Sequence, residues 1–566
     1  MPTISIDRKD FEHLLGQQTT SEELATLLAL VKGEVKDQDA ETGEWRVELQ
    51  DGNRPDLWSS EGIARQLRIK LKGAPSAYRF FKSSSRDMLR LEVAPGMERV
   101  RPYLAACTAV GYPVTKEGLV QLIQTQEKLA DLFGRKRRMV SIGFYRLSQI
   151  VFPVSYTLAK PEEARFTPLG LEEPLSLAEI LAKHPKGMEF GVILAGQERL
   201  PLLRGKDGRV LSMPPIINSR EVGEVQVGDQ ELFVEVTGTE LRMVLLTLNI
   251  LAANLADRGA TIGPVEVHYP YATDLGEILR TPLDFGRSRS IPIKSIETAL
   301  GQKLAADSIR RALTSYGYEA KASRDKVSVK LPPYRNDVMQ AADVVEDVAI
   351  STGYGQFAPL MPSAFTVGGL SKLEELSDRL RELMVGYGYQ EMISNIMASR
   401  QELVSRMRLT GTEWDRIVEV DNPISQTFSC LRQWIIPCLL RAEAASARAF
   451  YPHRIFEVGE VEIPDPERDT GSRTVLTLGA LLAHPSASFS EIQSSLDLLF
   501  FHLDCPYTLE TISHPSFLDG RVGRVTSEGR SLGLIGELHP EVLELWQIGM
   551  PSVAFELEVD RLADGR

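Results

Sequence analysis

Residues 332–354, PPYRNDVMQAADVVEDVAISTGY, constrain this chain more than any other stretch. One short segment must bury an apolar face and accommodate four carboxylates with almost no basic residue among them. Pro332 and Pro333 keep the chain extended, Asn336 or Asp337 can cap a helix, and the run to Ser351 then has helical period. Val338, Ala341, Ala342, Val345, Val348, Ala349 and Thr352 recur at steps of three and four and define the face to be buried. On the opposite face Asp343, Glu346 and Asp347 stand at i, i+3 and i+4, with Asp337 one to two turns earlier. Such acids cost free energy unless water solvates them or a cation neutralises them. The spacing admits two readings, a solvated acidic helix face and an all-oxygen site for a hard ion such as Mg²⁺.

Length allows about four domains, since 566 residues can build several separate cores. No apolar run approaches the ~18 residues of a membrane span. The start, MPTISIDRKDFEHLL, lacks the basic-then-apolar order of a signal peptide, which predicts a cytoplasmic protein. Cys107, Cys430, Cys438 and Cys505 are far apart with no CxxC pair, so neither a disulfide framework nor a zinc site is indicated. A net charge of −13 excludes a surface coated for general nucleic-acid binding; DNA is not expected, and any RNA contact must be local. No Walker loop, GxSxG elbow, HExxH helix or complete GxGxxG turn occurs.

A weak internal repeat links the ends of the first 330 residues. Setting Gly16 on Gly301 pairs GQ with GQ, Glu22 with Asp307, Leu24 with Ile309 and Leu28 with Leu313, and each copy begins from a strand, ISID or IPIK. NRPDLWSSEGIARQLR (53–68) reads as a turn and then a helix whose first turn carries Asp56 and Glu61. Between the copies, strands such as LAACTAVGY and a helix from Lys116 to Phe133 predict an α+β domain. GRKRR (134–138) is its most basic run, either a solvated helix end or a phosphate contact. After residue 367 come a helix (Leu370 to Val385), a strand (EMISNIMAS), a helix around Leu496 and further strands.

The pattern Asp337, Asp343, Glu346, Asp347 within PPYRNDV…ADVVEDVAISTGY resembles the end of the B5 domain of the phenylalanine-tRNA ligase beta subunit, and NRPDLWSSEGIAR resembles that family's NRPDLLS.EGIAREL. LSMPPIINS (211–219) and LFVEVTGTEL (232–241) resemble its B3/B4 editing domain, of the archaeal and eukaryotic cytosolic type. NPIS…LR…P.LL, FEVGEV, HPSFLDGRVGRV and IGELHPEVL resemble its class II synthetase-like domain. The resemblance implies an α+β multidomain chain: a B1-like domain over 1–80, a B3/B4 editing-type domain over 82–270, a winged-helix-like B5 domain over 288–362, and a catalytically silent, antiparallel-sheet class II domain over 367–566. It further implies a Mg²⁺ held by Asp337, Asp343, Glu346 and Asp347 and shared with an alpha subunit, and an editing pocket at Leu203, Ser212, Asn218, Glu235 and Thr237. Two departures bear on editing. Glu235 stands where Asp is usual, and SIGFYRLSQI (141–150) replaces a GxHDLD run, losing a His and two acids.

In that reading the chain is the partner of an alpha subunit that holds ATP and Phe, in an (alpha beta)₂ tetramer that attaches phenylalanine to tRNA(Phe). The Arg pair that a class II site needs for the ATP phosphates is missing: IPDPERD comes after FEVGEV, and FELEVDRL lacks a GxGxxR helix. The rival reading is a non-catalytic RNA-binding or scaffold protein derived from such a subunit.

Overall fold

In the computed structural model, which describes residues 2–39, 43–82, 88–286 and 288–563, two stretches of the chain build the same small module. Strand Thr3–Asp7 leads into helix Arg8–Leu15, and strand Ser288–Pro292 into helix Ile293–Leu300. Each helix ends on a glycine at positive φ, Gly16 at 82° and Gly301 at 66°, a conformation that L side chains adopt only with strain. A second helix comes next, Ser21–Leu28 or Ala306–Thr314, and then two strands. Both antiparallel sheets place their third strand between the first and the second. The repeat extends to the cores: Leu24 and Leu28 are buried in one copy, Ile309 and Leu313 in the other.

Between the copies in sequence lies a ten-stranded sheet. Its long covering helix, Leu241–Asp257, is apolar nearly all round and packs on strands Tyr103–Val110 and Glu231–Gly238. The helix Lys116–Lys128 passes into a wider turn over Leu129–Phe133. Beyond it, Arg135, Lys136 and Arg137 all have positive φ, at 50°, 52° and 63°. GRKRR is therefore a left-handed turn and not a simple solvated helix end, and the buried Arg101 donates to the carbonyls of Arg137 and Arg138 from beneath. The helix of NRPDLWSSEGIARQLR spans Ser60–Lys72, capped by Ser59, so Asp56 precedes it and pairs with Arg54.

These parts form one compact unit, Met1–Leu360, and Met361–Arg566 forms the other. The second unit is built on a seven-stranded sheet, antiparallel except where Gln390–Glu391 joins His453–Pro464 in parallel. Helices Lys372–Gly386 and Phe489–His502 share one apolar core with the sheet, and helix Ile436–Ala445 shares another. EMISNIMAS is not one strand: Gln390–Glu391 and Met397–Ala398 enter different sheets. Among the described residues no helix is long and apolar enough to cross a membrane.

Candidate functional site

The acidic helix begins later than its sequence period suggests. It spans Ala341–Thr352, with Gln340 as N-cap in place of Asn336 or Asp337. Asp343 turns back and accepts from the amides of Met339 and Gln340 at 2.7 and 2.8 Å, satisfying donors that a helix start leaves free. The buried face is also turned from the one that the spacing suggests. Val345, Val348 and Ala349 are buried as expected, joined by Val344 and Ile350, whereas Ala341, Ala342 and Thr352 are exposed.

Rotation also brings Asp347 into the core instead of onto the outer face. Asp347 is buried and accepts from Arg335 at 2.7 Å and from the Tyr318 hydroxyl at 2.5 Å. Arg335 also donates to Asp337 at 2.6 Å, and Arg54 of the first module stands 3.8 Å from the same carboxylate. Burial opposes the charge on Asp337, but Arg335 and Arg54 together hold it well below the usual carboxylate range. Glu346 remains exposed and pairs with Lys32 at 2.5 Å. Each of the four acids thus has an internal partner, three of them through Arg335, Arg54 or Lys32. Among the described residues no three His, Cys, Asp or Glu side chains are gathered as metal ligands. The oxygen donors suit a hard cation, yet Asp337 and Asp347 are turned to Arg335; only Asp343 and Glu346 retain outward access.

A second site forms where the two ends of the ten-stranded sheet meet. Strands Val210–Met213 and Ile217–Asn218 lie at one end of the strand order, and Glu231–Gly238 and Val140–Arg146 at the other. A cavity of about 390 Å³ opens between them, with Ser212, Asn218 and Glu235 in its wall. Leu203 and Thr237 do not line it. Leu203 is buried opposite Ser212 in the sheet, and the Thr237 hydroxyl is engaged by Arg101 at 3.0 Å and Ser141 at 2.9 Å. Burial pushes Glu235 up to about 7, against the Tyr145 hydrogen bond and the Arg101 charge, both of which lower it.

Sequence reasoning passed over Tyr145, whose hydroxyl meets both Ser212 at 2.8 Å and Glu235 at 2.9 Å. A local signal was available. In VSIGFYR, Gly143 and Tyr145 alternate onto one face of a strand, so a ring can fold back over the glycine.

In the second unit a cavity of about 400 Å³ has Trp434, His514, Thr477, Arg524 and Glu556 in its wall. Burial pushes Glu556 up to about 8, although it accepts from the amides of Ile435 and Ile436, and burial drives His514 down to about 4. Arg432 is sequestered in a 2.7 Å pair with Glu457.

Comparison with known families accords with these features. The tRNA synthetase B5 domain matches residues 289–354, and the phenylalanyl tRNA synthetase beta chain CLM domain matches 358–559. The chain is thus of the aminoacyl-tRNA synthetase subunit class. A phenylalanine–tRNA ligase beta subunit from Thermococcus onnurineus is 38% identical over 570 residues, 98% of each chain, and one from Treponema pallidum is 40% identical over 91% of this chain and 86% of its own. The crystal structure of an N-terminal fragment of the phenylalanyl-tRNA synthetase beta subunit from Pyrococcus horikoshii superposes with a TM-score of 0.59 at 34% identity, covering 62% of this chain and 100% of the fragment. The chain belongs to the phenylalanine–tRNA ligase beta-subunit family.

Proposed function

We propose that this chain acts as the beta subunit of a phenylalanine–tRNA ligase, which joins phenylalanine to tRNA(Phe) with ATP as the energy source. The observation that carries the reading is collinearity: 38% identity runs through 98% of this chain and 98% of a beta subunit so named. An alpha subunit supplies the synthetic site, in an (alpha beta)₂ tetramer in the cytoplasm, and the domain over 367–566 is catalytically silent. The missing Arg pair supports that last assignment, because adenylate formation needs the phosphate charge neutralised as the carboxylate attacks.

The outward-facing Asp343 and Glu346 are the residues that would hold a Mg²⁺ shared with the alpha subunit, Asp337 and Asp347 ordering the helix behind them. The cavity at Ser212, Asn218 and Glu235 is the editing pocket of the proposal. A site for the phenylalanine side chain rejects tyrosine only by a limited factor, roughly a hundredfold for comparable isosteres, so a second site that reads the hydroxyl is useful.

Purified alone, the chain should show no phenylalanine-dependent exchange of pyrophosphate with ATP, and addition of a cognate alpha subunit should restore exchange and charging. Exchange by the chain alone would overturn the division of labour. A stable complex that never charges tRNA would favour the scaffold reading.

A further inference from the structure

Tyr145 is fully buried and absent from the cavity wall that Ser212, Asn218 and Glu235 share. Its hydroxyl is the hub behind that wall, 2.8 Å from Ser212 Oγ, 2.9 Å from Glu235 Oε1 and 3.4 Å from Asn218 Oδ1. A phenol has one proton to give, and the Glu235 carboxylate, in the ionised form that prevails above about pH 7 where the arrangement is tested, can only accept. The consistent arrangement has Tyr145 donating to Glu235 Oε1 while the Ser212 hydroxyl donates to the phenol oxygen. Glu235 Oε2 is then left buried with no partner among the described residues, in a side chain that forms part of the cavity wall. An unpaired buried acceptor is costly, so its neighbourhood favours any ligand that brings a donor.

The backbone is shaped for this contact. Gly143 pairs with Glu235 across the two strands, and a Cβ added to Gly143 would lie 2.3 Å from the Tyr145 hydroxyl oxygen. Glycine there lets the ring lie back over its own strand and reach the carboxyl from behind. A glutamate has one more rotatable bond than an aspartate, and this hydrogen bond removes the extra freedom.

We propose that Tyr145 is a positioning residue that holds Glu235 Oε1 from behind the cavity, so that Oε2 is the acceptor offered to the hydroxyl of a phenolic ligand. The proposal rests on the editing reading of this cavity and deepens it: selectivity for a phenol over the same ring without a hydroxyl depends on a residue that never touches the ligand.

The test uses the full chain with two small probes, p-cresol and toluene, their affinities measured by ligand-observed NMR. The wild type should prefer p-cresol on the order of tenfold, because toluene leaves Oε2 unpaired. Tyr145→Phe should bring the ratio close to one while the toluene affinity stays unchanged, a split that general loosening of the site would not produce. Glu235→Met, which removes the acceptor and puts no donor in its place, should lose the preference too and serves as the second variant if Tyr145→Phe folds poorly. No preference in the wild type, or a preference that survives Tyr145→Phe, overturns the inference. Hydrolysis of Tyr-tRNA(Phe), assayed alongside, separates the two claims: phenol preference without hydrolysis supports the role of Tyr145 and removes the editing reading.

Discussion

Arg335 donates from Nη2 to the Asp347 carboxylate at 2.7 Å, with both residues buried. The same guanidinium reaches Asp337 through two nitrogens, at 3.0 and 2.6 Å, and lies over the Tyr318 ring at 5.1 Å. A segment whose acids outnumber its bases so heavily is thus organised around its single arginine. The helix is turned by this ion cluster as much as by its valines.

Replacing that arginine tests the point directly. Arg335→Met should cost about 3–5 kcal/mol in urea denaturation, because it leaves Asp347 buried without a cation and Asp337 with Arg54 alone, 3.8 Å away. An unchanged midpoint would mean that Asp337 and Asp347 find other compensation.

Asp343 and Glu346 should behave differently. Asp343→Ala removes two cap hydrogen bonds and should cost about 0.5–2 kcal/mol. The exposed Glu346–Lys32 pair should matter by less than about 1 kcal/mol. In a complex with the alpha subunit, however, the double Ala variant should lose bound Mg²⁺ and weaken subunit association. Metal content and complex mass equal to those of the wild type would leave these acids as a solvated, capped helix face.

The carboxyl of Glu235 predicts a pH dependence of stability. Its folded value of about 7 lies above the ordinary 4.5, so the folded chain binds the proton more tightly than the unfolded chain. The stabilisation is fully present below pH 4.5 and is lost as pH rises towards and through about 7, amounting to about 3 kcal/mol at most. Glu556 acts in the same direction, so the readout is the wild-type denaturation midpoint minus that of Glu235→Gln across pH 4.5–8. A flat difference would place the carboxyl in a wetter setting.

Gly143→Ala should disturb the cavity without touching it. The added methyl would meet the Tyr145 hydroxyl at 2.3 Å and push the ring off Glu235. We expect a cost of about 1–3 kcal/mol from overpacking, together with a lowered p-cresol to toluene ratio. A variant with wild-type stability and selectivity would show that the ring has room to move.

Much of this protein is determined by local sequence. The repeat of Gly16 on Gly301 could be read because a helix end needing positive φ selects glycine, and because the buried leucines and isoleucines recur at helical spacing beyond it. Of the five residues that the family resemblance marks for an editing pocket, Ser212, Asn218 and Glu235 stand in the wall of one cavity, each on a strand that its own short motif supplies. What lay beyond reach were partners chosen at long range. Helical period places Asp343, Glu346 and Asp347 near one another, but only packing rotates Asp347 inward to Arg335 and sets Glu346 against Lys32, 314 residues earlier. Strand alternation puts Tyr145 over Gly143, but its partners Ser212 and Glu235 are 67 and 90 residues away, brought together where the sheet's ends meet. Periods of 3.6 and 2 residues order neighbours within one element; the approach of a sheet's two ends and the rotation of a helix about its axis are decided by the whole core, and that is where the partners of Tyr145 and Asp347 are chosen.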